Sequence, residues 1–312
     1  MGKYVFGVDV GGTTVKLGLF DESGMVLDKW EIPTRTESSG VNILPDIATS
    51  IQSKMSEKAI AEEDVAGVGV GAPGPVDGNG IIHKAVNLGW SEMNLKKELT
   101  QLLGGMRVEG GNDANVAALG EMWKGGGQGY ENLVAVTLGT GVGGGIIING
   151  KIMTGATGSG GEIGHIHVED EETEACGCGN YGCLEEYASA TGITRLANRK
   201  LKQSDKDSVL RDGEVSAKAV FDAVKAGDEL AIEIAKQFGD YLGKGLAVIA
   251  GVINPEIFVI GGGVSKAGEV LFDYIRPSFD KTVFHGCKDT KFALATLGND
   301  AGIYGAAKMV LD

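Results

Sequence analysis

The feature that most constrains this chain is a pattern that occurs twice: an apolar strand, a glycine turn and a second apolar strand. The first copy joins residues 4–10 (YVFGVDV) to residues 15–20 (VKLGLF), and the second joins residues 133–138 to residues 142–148. Each copy continues through a short turn into a third strand. β-Branched and apolar runs bounded by glycine predict strands and tight turns. The chain is therefore expected to consist of two similarly built halves.

The two copies lie about one domain length apart. Gly139 corresponds to Gly11, and a chain of 312 residues is long enough for about two domains. Helical periodicity and further strands follow each hairpin, which predicts an α/β fold with a cleft between two domains. We expect an N-terminal domain over 1–115 and a C-terminal domain over 116–312, with the last helix, 301–311, packing back on the N-terminal domain.

Composition argues against several classes of partner. The chain has 28 Lys and Arg against 42 Asp and Glu, a net charge of −14, so no excess of positive charge attracts nucleic acids or anionic membranes. Any bound phosphate must be held locally. The longest uncharged stretch, residues 132–150, contains glycines and an Asn-Gly turn, which favours strands over a membrane span. We expect no export or anchoring signal and a cytoplasmic location.

Glycine turns after the predicted strands are candidate phosphate sites, because successive backbone N–H groups can receive phosphate oxygens. Asp9 ends the first apolar strand, where a carboxylate could hold Mg²⁺; a plain hairpin with an incidental Asp is the alternative. The candidate nucleotide-binding residues are Asp9, Gly11, Gly12, Thr13 and Thr14 in the first turn, Gly139, Thr140 and Gly141 in the second, and Gly261, Gly262 and Gly263 after a later buried strand.

Two loops of the first half carry side chains suited to a sugar. Asn112 and Asp113 lie at a predicted strand-to-helix corner, where they could cap the helix or, equally well, hold a hydroxyl group and accept its proton. Asn87 stands near Trp90 in a turn-rich loop, and an amide beside an aromatic ring suits sugar hydroxyls and an apolar ring face. A plain packing role for Trp90 is the alternative.

Three cysteines and one histidine form the most informative cluster. His165, Cys176, Cys178 and Cys183 could complete a closed tetrahedral zinc site of the structural type. Disulfides or free thiols are the alternatives, and His167 is a competing ligand. Glu162 and Glu185 flank the cluster, so the same stretch could present hydrogen-bonding groups to a polyol.

At these residues the chain closely resembles the ROK family (repressors, open reading frames and sugar kinases), above all its bacterial glucokinases. The resemblance covers nearly the whole length. Each motif alone is weak, but together they are highly specific. The motifs are DVGGTTVK from Asp9, GAPGPVDG from Gly71, NLGW from Asn87, GNDAN from Gly111, LGTGVGGG from Leu138, GEIGH from Gly161, CGCGNYGCLEEYAS from Cys176 and VIGGGVS from Val259.

The resemblance implies an actin-like, hexokinase-type fold that binds ATP and a sugar, with Mg²⁺ and a structural Zn²⁺, and commonly a homodimer or larger oligomer. Asp113 would be the catalytic base, Asp9 would serve the magnesium nucleotide, and Gly261–Gly263 would lie by the adenosine. The residues that match sugar-binding positions are Asn87, Asn112, Asp113, Glu162, His165 and Glu185, and those that match zinc ligands are His165, Cys176, Cys178 and Cys183.

These features predict ATP-dependent phosphorylation of a hexose, with glucose to glucose 6-phosphate as the favoured reaction. The alternatives are a kinase for another sugar (N-acetylmannosamine, fructose or allose), a noncatalytic sugar sensor, and polyphosphate as the donor. A repressor is not expected, because family repressors carry an N-terminal helix-turn-helix domain and the first strand here begins near Tyr4.

Overall fold

A computed structural model describes residues 3–311 of the chain. Up to residue 131 the helices and strands are β1 (Tyr4–Val10), β2 (Thr14–Asp21), β3 (Val26–Pro33), α1 (Glu37–Gly40), α2 (Ile43–Lys58), β4 (Val65–Ala72), β5 (Ile81–Ile82), β6 (Met93–Asn94), α3 (Leu95–Leu102), β7 (Val108–Asn112) and α4 (Asp113–Lys124). After it they are β8 (Leu133–Leu138), β9 (Val142–Ile148), β10 (Lys151–Ile152), α5 (Glu185–Ala188), α6 (Ala190–Gln203), α7 (Ala217–Lys225), α8 (Glu229–Ile253), β11 (Ile257–Gly261), α9 (Val270–Thr282), β12 (Lys291–Leu294) and α10 (Ala301–Leu311).

The three successive strands predicted at the start of the chain are confirmed, and they form an antiparallel meander. β2 pairs antiparallel with β1 and with β3, and β4 and β7 extend the sheet on the other side in parallel, in the order β3-β2-β1-β4-β7. The register aligns Asp9 with Gly71 and Gly71 with Gly111. Two strand spacings of about 4.8 Å therefore separate Asp9 from the end of β7. The carboxyl edge of this sheet brings two motifs together that are far apart in sequence.

The second hairpin pattern also folds as predicted. The second sheet has the order β10-β9-β8-β11-β12, in which β8, β11 and β12 run parallel. Because the ends of parallel neighbours meet at one edge, the turn after β8 lies beside the turn after β11. Gly262 shows how close they are, since a Cβ atom there would be 2.5 Å from the carbonyl oxygen of Leu138.

The chain divides into two compact units. Unit 1 contains residues 3–131, 145–161 and 297–311, and unit 2 contains residues 132–144 and 162–296. The boundary predicted after residue 115 would divide α4. In the structure the whole of α4 belongs to unit 1, so the prediction is wrong at this point. The reason is close packing of α4 on α10: a Cβ atom on Gly120 or Gly305 would overlap backbone of the other helix.

The first sheet is covered by apolar side chains on both faces. Alternate residues of β1 face opposite sides, so Phe6 and Val8 join a core with α2 and α3, while Val5 packs with Phe20 and Ile303 of α10. Burial on both faces explains why β1 and β4 are almost continuously apolar. This leaves the carboxyl edge of the sheet as the place for polar groups.

One predicted helix differs from the structure. Helical periodicity predicts a single helix over residues 184–201, but the chain breaks at Ser189 into α5 and α6. The Ser189 hydroxyl accepts a hydrogen bond from the Gly192 N–H and caps α6. None of the helices in residues 3–311 is long and apolar enough to span a bilayer.

Candidate active site

The first glycine turn connects β1 to β2 and is braced from β3. The Gly11 N–H donates to the Thr14 carbonyl at 3.0 Å and closes the turn. Thr34 supports it, because its hydroxyl donates to the Gly11 carbonyl at 2.7 Å and its N–H to the Thr13 carbonyl at 2.9 Å. Gly12 and Thr13 are exposed at the tip. The turn is thus held through its carbonyl groups, and its tip is accessible to a phosphate.

Asp9 lies at the end of β1 beside this turn and is partly buried. Burial foremost, and then the negative charge of Asp113, raises its pKa from the ordinary value of 3.8 to about 6, against the opposing effect of Lys16. The Lys16 ammonium also donates to the Asn299 carbonyl at 3.0 Å. Two carboxylates that disfavour each other's charge form a donor set that suits a hard divalent cation such as Mg²⁺.

Asn112 and Asp113 form the predicted strand-to-helix corner. The Asn112 side chain caps α4 by accepting from the N–H groups of Ala114 at 3.0 Å and Asn115 at 3.2 Å. Its amide donates to the Gly74 carbonyl at 3.1 Å and to Asp113 Oδ1 at 3.0 Å. Asp113 Oδ1 also accepts from the Ala114 N–H at 2.8 Å. The capping role is therefore observed, and it fixes the orientation of the Asp113 carboxylate.

Asn87 lies in a short exposed loop of unit 1. It is the middle residue of a 3-10 turn over Val86–Leu88. Ala85 and Trp90 close the loop by exchanging two backbone hydrogen bonds of 3.1 Å each. Trp90 itself is only 6% exposed. The plain packing alternative for Trp90 is thus observed, while Asn87 is presented to solvent.

Unit 2 carries the other two glycine turns. The Gly139 N–H donates to the Gly141 carbonyl at 3.0 Å, and the Gly139 carbonyl accepts from the Ala190 N–H at the start of α6 at 2.8 Å. Thr140 is exposed at the tip, as are Gly262 and Gly263 in the turn after β11. The two predicted nucleotide-binding turns of this unit therefore lie on adjacent strands.

Glu185 connects three of the predicted features of unit 2. Its Oε1 atom lies 3.6 Å from His165 Nδ1 and accepts from Cys176 Sγ at 2.9 Å. Its Oε2 atom is 2.5 Å from the position that a Cβ atom on Gly141 would take. Glu162 is exposed, and its carbonyl accepts from the His165 N–H at 3.2 Å. Glu162 and His165 thus belong to one short segment, and Glu185, the first residue of α5, lies against His165.

The predicted cysteine and histidine cluster assembles with metal-site dimensions. The ligand atoms of His165, Cys176, Cys178 and Cys183 all lie within 4.8 Å of one another. The Cys178–Cys183 Sγ atoms are 3.6 Å apart, and Cys176 Sγ is 3.8 Å from His165 Nδ1. Zinc–sulfur bonds of about 2.3 Å in a tetrahedron give ligand separations of about 3.8 Å, so the donor set and its spacing fit Zn²⁺.

Two of the alternatives to this donor set, disulfides and His167, do not match the structure. All four cysteines are free, so no disulfide forms among them. His167, the competing ligand, has both ring nitrogens occupied: Nδ1 lies 2.9 Å from the Tyr181 carbonyl and Nε2 lies 2.8 Å from Asp170. The cluster can therefore form from the four predicted ligands.

The segment between the histidines and the cysteines is anchored by a buried carboxylate that no sequence motif predicted. Glu172 is buried, with its side chain 3% exposed, and accepts from Tyr187 at 2.6 Å, Arg195 at 2.9 Å and Arg199 at 3.1 Å. These donors, Arg199 foremost, hold the pKa of Glu172 well below its ordinary range. An Arg pair one helical turn apart on an amphipathic helix was the only sequence signal for this anchor.

Comparison with known proteins gives consistent matches along the whole chain. Residues 5–312 match the model of the ROK family. A glucokinase from Halalkalibacterium halodurans is 44% identical over 99% of this chain and 95% of its own length, and a glucokinase from Thermotoga maritima is 38% identical over 98% and 96%. The crystal structure of a ROK family glucokinase from Streptomyces griseus in complex with glucose and AMPPNP is 35% identical, covers 98% of both chains and superposes with a TM-score of 0.74.

Proposed function

Since this chain belongs to the ROK family and has its actin-like α/β fold, we propose that it transfers the γ-phosphoryl group of ATP to the 6-hydroxyl of glucose. The observation that carries the proposal is the carboxyl edge of the first sheet, which brings the oriented carboxylate of Asp113 near Asp9 and the exposed glycine turn. A base, a cation site and a phosphate turn at one edge are what phosphoryl transfer requires.

Asp113 is the proposed catalytic base. Hydrogen bonds from Asn112 and the Ala114 N–H fix its carboxylate at the N-terminus of α4, so that it can accept or orient the proton of the attacking hydroxyl. Asn112 is held in turn by the Gly74 carbonyl. Positioning of this kind, rather than covalent chemistry, supplies most of the rate enhancement in phosphoryl transfer.

The proposed nucleotide-binding residues are the three glycine turns with Asp9. Bound Mg²⁺ would neutralise charge on the transferring phosphate, and Asp9 is the carboxylate that fits it. The N–H and hydroxyl groups of the exposed tips, Gly12–Thr13 and Thr140, receive phosphate oxygens, while Gly261–Gly263 lie by the adenosine.

The proposed sugar-binding residues are Asn87, Asn112 and Asp113 in unit 1 and Glu162, His165 and Glu185 in unit 2. Zn²⁺ held by His165 and the three cysteines would brace the segment that carries the last three. Its role is structural, because four protein ligands leave no open position for substrate.

The first experiment is ADP release by the purified chain with Mg-ATP and each of glucose, mannose, fructose, N-acetylmannosamine, N-acetylglucosamine or no sugar. The proposal expects strong turnover with glucose, and production of glucose 6-phosphate. Faster turnover with another sugar would overturn the assignment of glucose. Absence of turnover with every sugar, despite tight sugar binding, would favour the sensor, and activity with polyphosphate alone would change the donor.

Asp113→Asn tests the catalytic base. The amide keeps the size of the side chain but accepts no proton, so kcat should fall by about 10²–10⁴-fold while glucose affinity changes little. Isothermal titration calorimetry measures the affinity independently of turnover. A variant that keeps near-normal kcat would contradict the assigned role.

We further propose a cytoplasmic location and a homodimer or larger homo-oligomer. Thiolates that hold a structural zinc persist in a reducing compartment, which agrees with four free cysteines. Light scattering coupled to size-exclusion chromatography tests the oligomeric state.

A further inference from the structure

We propose that the strained segment α1 (Glu37–Gly40), here called the strap, positions the sugar loop that carries Asn87. The strap acts on this loop through Gly40 and Trp90. The sugar loop is defined as residues 85–90. This inference rests on the proposed function, because it assumes that Asn87 binds the sugar. Gly40 and Trp90 are positioning residues, since they act on the sugar through Asn87.

The strap has an unfavourable backbone conformation. Ser38 (φ 54°, ψ 41°), Ser39 (φ 62°, ψ 33°) and Gly40 (φ 67°) are three successive residues in the left-handed region. For a residue with a Cβ atom this conformation costs about 1–2 kcal/mol. Such strain persists only where surrounding contacts enforce it. The contacts of the strap should therefore show what it is held against.

Those contacts are with the sugar loop. The indole Nε1 of Trp90 donates to the Gly40 carbonyl at 3.2 Å. A Cβ atom on Gly40 would overlap the Leu88 carbonyl oxygen and lie 2.8 Å from Trp90 Nε1. A Cβ atom on Gly89 would lie 3.0 Å from the Ser39 Cα atom. Strap and loop thus touch through backbone atoms, and only glycine permits this approach at Gly40.

Trp90 transmits this contact to Asn87. Its backbone forms both hydrogen bonds that close the loop at Ala85, so the position of Trp90 sets the base of the turn that presents Asn87. The strap and the loop also share an open cavity of about 1040 Å³, which Ser38–Gly40, Gly89 and Trp90 line together with residues 91–94 and α3. Because the strap contacts the loop directly beside this cavity, a small displacement of the strap would displace the loop.

Gly40→Ala tests the inference with a closely matched control. Gly104 has φ 68°, practically the same as Gly40, but a Cβ atom there would meet nothing within 4 Å. Both alanine variants therefore place a side chain at the same positive φ, and only Gly40→Ala pushes on the sugar loop. We expect Gly40→Ala to raise the KM and Kd for glucose at least about fivefold with the KM for ATP unchanged, and Gly104→Ala to leave all three unchanged.

Trp90→Phe is the second variant, in case Gly40→Ala does not fold. Phenylalanine keeps an aromatic ring but removes the N–H donor, and loss of one hydrogen bond predicts an increase in glucose KM of about fivefold. Asn87→Ala provides the reference for complete loss of the sugar contact. Affinities measured by calorimetry do not depend on turnover, so a wild-type chain that binds glucose without phosphorylating it would refute the proposed function and leave this test valid.

The inference is overturned if Gly40→Ala and Gly104→Ala bind glucose equally well while Asn87→Ala binds it weakly. It is also overturned if Asn87→Ala binds glucose as tightly as the wild type, because the loop then carries no sugar contact. An equal rise in the KM for glucose and for ATP in Gly40→Ala would indicate general distortion and would likewise contradict it.

Discussion

Asp9→Asn should stabilise the chain at neutral pH while removing its activity. Burial and the charge of Asp113 raise the Asp9 pKa to about 6, so the ionised carboxylate is unfavourable in the folded chain. Asparagine has the same size and no charge. The variant therefore escapes this cost, but it cannot serve a magnesium nucleotide, and its kcat should fall below detection.

The size of the stability change follows from the pKa of Asp9 in the unfolded chain, 3.8, and in the folded chain, about 6. Below pH 3.8 the carboxyl group is protonated in both states and costs nothing. As pH rises to about 6, the unfolded chain releases its proton more readily than the folded chain, and wild-type stability falls by up to about 3 kcal/mol. The variant does not titrate at this position. Its stability relative to the wild type should therefore rise by about 2–3 kcal/mol between pH 4 and pH 8.

Thermal unfolding at the two pH values, in chelator and without nucleotide, measures this difference. At about 2–4 °C per kcal/mol for a domain of this size, the Tm of the variant should gain about 5–10 °C on the wild type. Any pH-independent effect of the amide cancels in the comparison. A Tm difference that is the same at pH 4 and pH 8 would refute the reasoning, because it would show that the folded chain does not disfavour the Asp9 charge.

Two further substitutions test unit 2, each against a matched control. Cys178→Ser should lower the zinc content from about one ion per chain and should lower the Tm. Cys287→Ser is the control and should leave the zinc content unchanged, because Cys287 contacts Ala250 and Asn254 outside the cluster. Elemental analysis measures the zinc content of both variants. Glu172→Gln should lower the free energy of unfolding by about 1–3 kcal/mol, because it removes the charge of the buried carboxylate that Arg195 and Arg199 share. Glu174→Gln, which meets the same arginines but is 64% exposed, should cost under about 1 kcal/mol. Equal urea midpoints for the two glutamine variants would contradict the anchoring role of Glu172.

Local patterns account for what the sequence predicted well. Alternating apolar residues and glycine turns act over a few residues, so β1, β2, β8 and β9 were predicted to within one residue of their observed ends. The four members of the cysteine and histidine cluster were also predicted to come together, because three of them lie within eight residues of sequence. Chemistry that is concentrated in one short segment is visible before the fold is known.

Interactions between distant segments were not predictable in the same way. Whether residues after 115 belong to the first unit depends on the close packing of Gly120 against α10, almost two hundred residues later. Thr34 braces the first glycine turn only because β3 returns beside β2. Neither residue type is unusual in its local sequence. Their roles come from the topology of the sheet, which pattern analysis does not supply.

Glu185 shows how a metal ion bound to the cysteine and histidine cluster would affect catalysis without touching the substrate. Cys183, a cluster ligand, lies two residues before Glu185, and the Glu186 N–H donates to the Cys183 carbonyl at 3.0 Å. A metal ion that fixes Cys183 would therefore also fix the start of α5. The Glu185 carboxylate extends from there towards Gly141, where any side chain would displace it. The cluster thus sets the position of a proposed sugar ligand against a proposed phosphate turn, and its contribution to the reaction is one of position.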